Sequence, residues 1–586
     1  MGNQPETHPN PTIDPKSGFN SETRTFQSLR PKTPLPPLSQ PLSVTDYTLS
    51  LIPSTSLSAT AMIDSDTDTH LSYSVFIRQI KSLSSSLKSL FPSLSKGHVA
   101  LIISPSSLHV PVLYFSLLSL GVVVAPANPL STHSELTHHV QLTKPVIAFA
   151  TSSTSTHIPN LKFGTVLIDS PQFISMLNNF NNSEPPRVEV AQSDVAAILF
   201  SSGTTGRVKG VELTHRNFIA LTGGFYYTNL MLGNLDEKES NKVSLFTPPL
   251  FHVFGFFMMV WTIAFGETLV LMKRFDFEGM LKLVEKYRID SIPVSPPLVV
   301  LLAKSELVNK YDVSSLKIVG CGGAPLGKEV GESFAARFPN VIIEQGYGLT
   351  ESTGAAVNGI GAEEGKVHAS AGRLSENMEA KIVDPLTGKA LFPGQKGELW
   401  LRGPTIMKDL GVAPSTILLG LEESIISLIN CNAFHVASAG YIGDDKATAE
   451  ILDSEGWLKT GDLCYFDSHG FLYIVDRLKE LIKYKAYQVP PAELEHILYT
   501  NPEIADVAVV PYPDEEAGQI PMAFVVRKPG SNITAAQVME FVAKQVSPYK
   551  KIRRVAFINS IPKSHSGKIL RRELVAYALS SGSSKL

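Results

Sequence analysis

A chain of 586 residues has room for about four units of ordinary domain size, which excludes the small scaffolds that depend on disulfides or metals for stability. With 51 basic against 54 acidic residues and a net charge of −3, there is no broad positive field to neutralise nucleic-acid phosphates, so nucleic acid is not an expected partner and any bound anion must be held locally. An apolar fraction of 43% beside 18% charged residues describes a globular protein, and Cys321, Cys431 and Cys464 form neither a CxxC pair nor a zinc spacing, which suits a reducing compartment.

Residues 1–70 are rich in Pro, Ser and Thr and are expected to form an irregular N-terminal arm. The chain opens Met-Gly, but Glu6 stands where a myristoylation signal needs Ser or Thr, and no signal peptide is readable. From 71 to 475 the runs VALIIS, VVVAP, VIAFA, VAAILF, ETLVLM, SLKIVG and VIIEQ alternate with helical patterns. That alternation predicts an α/β fold whose large N-terminal domain has mostly parallel, helix-covered sheets. Leu108–Ala127 and Val243–Gly266 lack Lys, Arg, Asp and Glu, yet Pro111, Pro248 and Pro249 interrupt them, so they read as buried helix and strand and no transmembrane segment is expected. After Asp476 the pattern changes. FLYIVD, PAELEHIL with Pro491 at the helix start, DVAVVPY, MAFVV, AAQVMEFVAK, VAFI and ILRRELVAYAL predict a small α+β C-terminal domain over 476–586.

The strongest local signal is Ser201-Ser202-Gly203-Thr204-Thr205-Gly206-Arg207-Val208-Lys209-Gly210, directly after VAAILF. Its glycines let backbone amides face an anion, its hydroxyls donate, and Lys209 adds a movable charge, so it reads as a phosphate loop between a buried strand and a helix. Val208 and Gly210 depart from a Walker A loop. Gly322-Gly323-Ala324-Pro325-Leu326-Gly327-Lys328 has the Walker spacing, but Glu329 replaces the magnesium-binding hydroxyl and Pro325 breaks the amide nest; it remains a candidate pocket wall. In Gln345-Gly346-Tyr347-Gly348-Leu349-Thr350-Glu351, Tyr347 offers a ring face, Thr350 a hydroxyl and Glu351 a carboxylate for a divalent cation, although a Gly-Tyr-Gly turn is as readily structural.

With Gly456-Trp457-Leu458-Lys459-Thr460-Gly461-Asp462 and Pro562-Lys563-Ser564-His565-Ser566-Gly567-Lys568, these motifs resemble the adenylate-forming superfamily of acyl-CoA synthetases, luciferases and adenylation domains, and within it plant 4-coumarate:CoA ligase-like enzymes. The resemblance implies a large AMP-binding domain with a β-barrel-like subdomain and a mobile C-terminal domain, and an ATP-dependent acid:CoA ligase using ATP, CoA and Mg2+. It assigns ATP to 201–210, adenine and α-phosphate to Gly323, Gln345, Gly346, Tyr347 and Thr350, and magnesium to Glu351, indirectly. Asp462 is to take the ribose hydroxyls, with Arg477 and Lys479 nearby, and Lys568 the transition state of adenylation. His252 is to sit by the carboxylate, with Phe254, Phe257, Gly320, Gly322 and Gly323 around the acyl group. After a swing of the small domain, Lys483 and Gln488 are to replace Lys568, with Arg274, Lys485 and Ala486 near CoA. Without the resemblance, 477–488 reads as a solvated basic face.

Three departures stand out. Gly320 replaces the Lys that hydroxycinnamate ligases place near a phenolic hydroxyl, and Phe257 replaces their Asn, which favours cinnamate-like or medium-to-long aliphatic acids, including cyclic fatty acid derivatives. Ala486 replaces a Gly, a change that would slow thioester formation if that position needs a positive φ. Residues 409–439 separate Lys408 from Gly440-Tyr441, which the family joins, and read as a retained intervening segment. The terminal Ser584-Lys585-Leu586 reads as a peroxisomal address, and an import receptor is expected as its partner. A luciferase-like oxygenase and a nucleotide-binding form impaired by the 409–439 segment are the alternatives.

Overall fold

The computed structural model describes residues 12–179, 188–201, 208–233, 242–407, 440–485, 487–564 and 567–582, with side chains to 580. Among the described residues, three sheets build the N-terminal part. The first has six strands in the order Lys209–Thr214, Val195–Ser201, Val123–Ala127, Val99–Ile103, Ile147–Ala150, Thr165–Leu167, all parallel except the first. The second has nine, with Ile342–Leu349, Ile318–Cys321, Ser291–Val294, Val243–Phe246, Thr268–Leu271 and Thr60–Asp64 parallel at its centre. Every run read as a strand from VALIIS to VIIEQ lies in one of these two sheets, because short β-branched runs buried on both faces have no other low-energy arrangement.

The third sheet is antiparallel, running Phe19–Asn20, Thr25–Gln27, Glu379–Val383, Gly397–Arg402, Leu458–Phe466, Leu472–Arg477. Among the described residues its strands pair in this linear order. FLYIVD is its edge strand, so the N-terminal part runs through Arg477. The C-terminal part carries its own sheet, Tyr487–Val489, Ile482–Tyr484, Gly518–Arg527 and Ile504–Asp514, with Arg554–Phe557 added parallel and the helices Pro491–Tyr499, Ala535–Ala543 and Arg571–Gly582.

Two further sequence expectations need correction. Residues 12–70 are not an irregular arm: Phe19 and Phe26 are buried, Phe26 stacks on Phe466 with ring centroids 4.3 Å apart, and Val44–Leu51 is a helix capped by Ser43. The Pro and Ser content masked a few well-spaced aromatics that suffice to seat the segment. The phosphate loop is followed by a strand rather than a helix: Lys209 pairs with Ser201, and only at His215 does a helix begin, capped by Thr214. VKGVELT alternates well enough for a strand but is too short to be distinguished from a helix start.

The two uncharged stretches are interior pieces. His109–Ser119 is buried almost throughout, and Val253–Ala264 packs Phe256 on Tyr114 and Phe218 at 5.2 and 5.1 Å. Among the described residues no helix is long and apolar enough to cross a membrane.

Candidate active site

The carboxyl ends of Ser291–Val294, Ile318–Cys321 and Ile342–Leu349 open into one cavity of about 370 Å³, facing the C-terminal unit. Such strand ends are where an open α/β sheet exposes backbone groups to a ligand. Its walls include Gly323, Ala324, Gly346, Tyr347, Asp462 and Arg477 from the N-terminal part and Lys568 from the C-terminal part. Gly323 has φ +84°, a conformation cheap only for glycine, and it turns the chain away from the strand end.

Asp462 is the electrostatic centre. The Tyr347 hydroxyl donates to its Oδ2 at 2.6 Å and the Arg477 guanidinium lies 3.5 Å from Oδ1. Burial raises its pKa, with Arg477 and the Tyr347 hydrogen bond opposing. The Tyr347 hydroxyl is thus committed to Asp462 while the residue lines the cavity.

Lys568 enters from a tight loop. Ser564 N donates to Lys568 O at 2.7 Å, Gly567 N to Ser564 O at 2.8 Å, and Lys563 bridges Ile569. Burial, then the charge of Arg477, pushes the Lys568 ammonium down to about 8, with Glu480 and Asp462 pulling it back up. Behind it Arg571 binds both oxygens of Glu495 and donates to Glu480 at 2.7 Å. Burial would raise Glu480, but Arg571 and Arg477 outweigh it and hold that carboxyl below its usual range. Asp476, at the junction of the two parts, is pushed up to about 7 by burial, although Arg571 and the amides of Ala492 and Arg477 favour its charged form.

At the phosphate loop, Ser202, Gly203, Thr204, Thr205 and Gly206 lie outside the described residues. Ser201 Oγ is buried with no hydrogen-bond partner among the described residues, as a hydroxyl awaiting an anion would be. Lys209 Nζ sits 4.1 Å from the Tyr441 ring centroid, and the Tyr441 hydroxyl donates to Glu351 Oε1 at 2.7 Å. A single carboxylate beside a phosphate loop suits Mg2+, which keeps several waters and takes few protein ligands. Thr350 is buried next to it.

His252 caps the helix Val253–Ala264, its Nδ1 accepting from Phe254 N at 3.3 Å, which leaves the ring proton on Nε2. Burial holds its pKa near 4, so the ring is neutral. Phe254 and Phe257 follow on that helix with rings 5.9 Å apart. Gly322 ties this region to the cavity, since a Cβ there would stand 3.6 Å from both Phe254 Cζ and Gly346 O. Gly320 pairs with Glu344, and Gln345 with Cys321, in the same strand ladder.

Other expected residues are elsewhere in this arrangement. Lys483 and Gln488 face each other across the hairpin Ile482–Tyr484/Tyr487–Val489 and both are exposed. Lys485 pairs with Glu516 at 2.7 Å on the surface, and Arg274 and Lys479 are exposed. None of these lines the cavity. Ala486, residues 409–439 and Ser584-Lys585-Leu586 lie outside the described residues. Sequence reasoning missed Glu480, Glu495, Arg571 and His496, all in the cavity wall. The one available signal was spacing: Glu480 and Arg571 each fall three residues after a motif residue.

A strand-end cavity closed by a lysine from a second unit and holding a buried carboxylate is the arrangement of an adenylate-forming, nucleotide-using enzyme. A family model described as AMP-binding enzyme matches residues 54–410, and another, AMP-binding enzyme C-terminal domain, matches 493–568; the chain belongs to this family. It is 55% identical to 4-coumarate--CoA ligase-like 9 of Arabidopsis thaliana over 99% of this chain and 100% of that protein. It is 41% identical to Peroxisomal OPC-8:0-CoA ligase 1 of Arabidopsis thaliana over 97% of this chain and 98% of that one. In fold it is similar to ATP-bound MatB from Rhodopseudomonas palustris, with TM-score 0.76 at 22% identity over 92% of this chain and 99% of that one.

Proposed function

We infer that the protein is an ATP-dependent acid:CoA ligase for hydrophobic carboxylic acids, acting in the peroxisome. In the first half-reaction a carboxylate oxygen attacks the α-phosphorus of ATP and pyrophosphate leaves, giving an acyl-adenylate. In the second, the CoA thiolate attacks the acyl carbon and AMP leaves. The observation that carries this reading is Lys568 lining the same cavity as Asp462 and Arg477. An ammonium there meets charge that develops between the α- and β-phosphates, while an acceptor-only carboxylate suits ribose hydroxyls.

Glu351 would hold Mg2+, which supplies charge neutralisation at the triphosphate when bound. The second half-reaction would need the C-terminal unit to swing so that Lys483 and Gln488 replace Lys568 and Arg274, Lys485 and Ala486 meet CoA. Phe254, Phe257 and the absence of a side chain at Gly320 favour cinnamate-like, medium-to-long aliphatic or cyclic alkanoic acids. The address Ser584-Lys585-Leu586 and a relative named as peroxisomal support the compartment.

The test is acid-dependent pyrophosphate release across cinnamic, benzoic, fatty and cyclopentenyl alkanoic acids, followed by thioester formation on adding CoA. Release with at least one hydrophobic acid is expected. No release with any acid, in the presence of ATP and Mg2+, overturns the reading.

A further inference from the structure

The helix Pro296–Lys304 lines the cavity with Pro296, Pro297, Val300 and Leu301, and it meets the C-terminal unit at both ends. At its start, the cap residue Ser295 faces Gly567, where an added Cβ would stand 2.9 Å from Ser295 Oγ. At its end, Arg337 donates to the carbonyls of Leu302 and Ala303 at 3.1 and 3.2 Å, satisfying the last turn. Lys304 is therefore not needed there. Its Nζ instead reaches across to Tyr499 O at 3.0 Å, the last residue of the helix Pro491–Tyr499. Carbonyls without intrahelical partners and the negative end of a helix dipole make that a favourable place for an ammonium. Partial desolvation, then the charge of Lys528, lowers the pKa of Lys304, an exposed residue.

Tyr499 carries the contact onward. Its hydroxyl donates to Asp506 Oδ1 at 2.6 Å, and Asp506 Oδ2 pairs with Lys563 Nζ at 2.6 Å. Lys563 bridges Ile569 and so closes the loop that presents Lys568. A continuous path of hydrogen bonds and an ion pair thus joins the outer end of the large-part helix to the base of the Lys568 loop. A rigid helix of nine residues, roughly 13 Å long, gripped at both ends fixes orientation as well as distance.

We propose that Lys304 is a positioning residue, a latch that holds the C-terminal unit in the adenylating arrangement through the Tyr499 carbonyl and the Asp506–Lys563 pair. This rests on the ligase reading above. Because the second half-reaction requires the C-terminal unit to leave this docking, the latch acts on the first half-reaction alone.

The test compares wild type, Lys304→Met and Lys304→Arg in acid-dependent ATP–pyrophosphate exchange and in thioester formation from supplied acyl-adenylate and CoA. Hydrogen exchange of segment 563–570 with a non-hydrolysable ATP analogue gives a readout independent of turnover. One exposed charge-assisted hydrogen bond predicts a roughly three- to tenfold loss of exchange activity in Lys304→Met, recovery in Lys304→Arg, an unchanged thioester rate, and faster amide exchange in 563–570. Equal losses in both half-reactions, or a Lys304→Met protein indistinguishable from wild type in both assays, overturns the latch. Absence of pyrophosphate exchange in wild type with every acid instead overturns the ligase reading, and hydrogen exchange still decides the latch.

Discussion

On the proposed role, Lys568 should set the alkaline limit of the first half-reaction. With its pKa near 8 against an ordinary 10.5, burial and the neighbouring Arg477 penalise the charged form by roughly 3 kcal/mol in the free enzyme. At pH 9, about one such lysine in eleven is protonated, so kcat/KM for pyrophosphate release should fall roughly tenfold between pH 7 and 9. The kcat profile, which reports the ATP complex, should break at higher pH because the triphosphate restores the charged form. Lys568→Ala should lower the plateau by about 10²–10³-fold and abolish the alkaline break. Lys568→Arg should also lose the break, since guanidinium stays charged, at a reduced rate set by its different shape.

Stability must move in the opposite sense. Between pH 8 and 10.5 the unfolded chain binds the Lys568 proton and the folded chain does not, so stability rises with pH through that window. The cost of holding the charge is present in full below pH 8. Lys568→Ala should therefore raise the thermal transition at pH 7 and lose that advantage above pH 10, as a functional site traded against stability would. The assays are pyrophosphate release from pH 6 to 10 and calorimetry at both ends of that range. A wild-type kcat/KM flat across the range, or an alanine variant that keeps the alkaline break, refutes the reasoning.

Three further outcomes follow from the geometry. Gly567→Ala places a Cβ 2.9 Å from Ser295 Oγ at φ +80°, so the Lys568 loop must shift; pyrophosphate release should drop at least about tenfold, while thioester formation from supplied acyl-adenylate persists. A Cβ at Gly320 would meet only Pro293 Cα, at 3.9 Å, so the first carbon of Gly320→Lys is accommodated, and the variant should shift relative pyrophosphate release toward acids with a phenolic hydroxyl by roughly tenfold. Excision of 409–439 should leave or increase pyrophosphate release: Met407 N donates to Glu351 O at 2.8 Å and Tyr441 bonds the Glu351 carboxylate, so both flanks already converge on one residue, and the family match stops at 410. A release rate abolished by the excision would show the segment to be required.

What the sequence discloses and what it conceals follow a physical division. Asp462 and Lys568, which line one cavity, and Ser201 and Lys209, which pair in one sheet, are legible as candidates because each sits in a short motif whose residue types and spacing are written along the chain. Glu480, Glu495 and Arg571 escape the same reading because a charged residue on an amphipathic helix or turn looks solvated until a partner from another element covers it. Arg571 lies 76 residues from Glu495 and 91 from Glu480, separations at which no periodicity operates. The same holds for Lys304 and Tyr499, 195 residues apart. The phosphate loop shows the intermediate case. Its composition announced an anion site, but whether a strand or a helix follows depended on Lys209–Thr214 finding Val195–Ser201 as an antiparallel partner, a tertiary choice. A hairpin places Ser201 opposite Lys209, so the two residues that flank the loop are neighbours in the sheet and would face one anion together on the proposed reading. The motif restricts the chemistry a loop can offer, and the sheet decides which of its flanking groups meet.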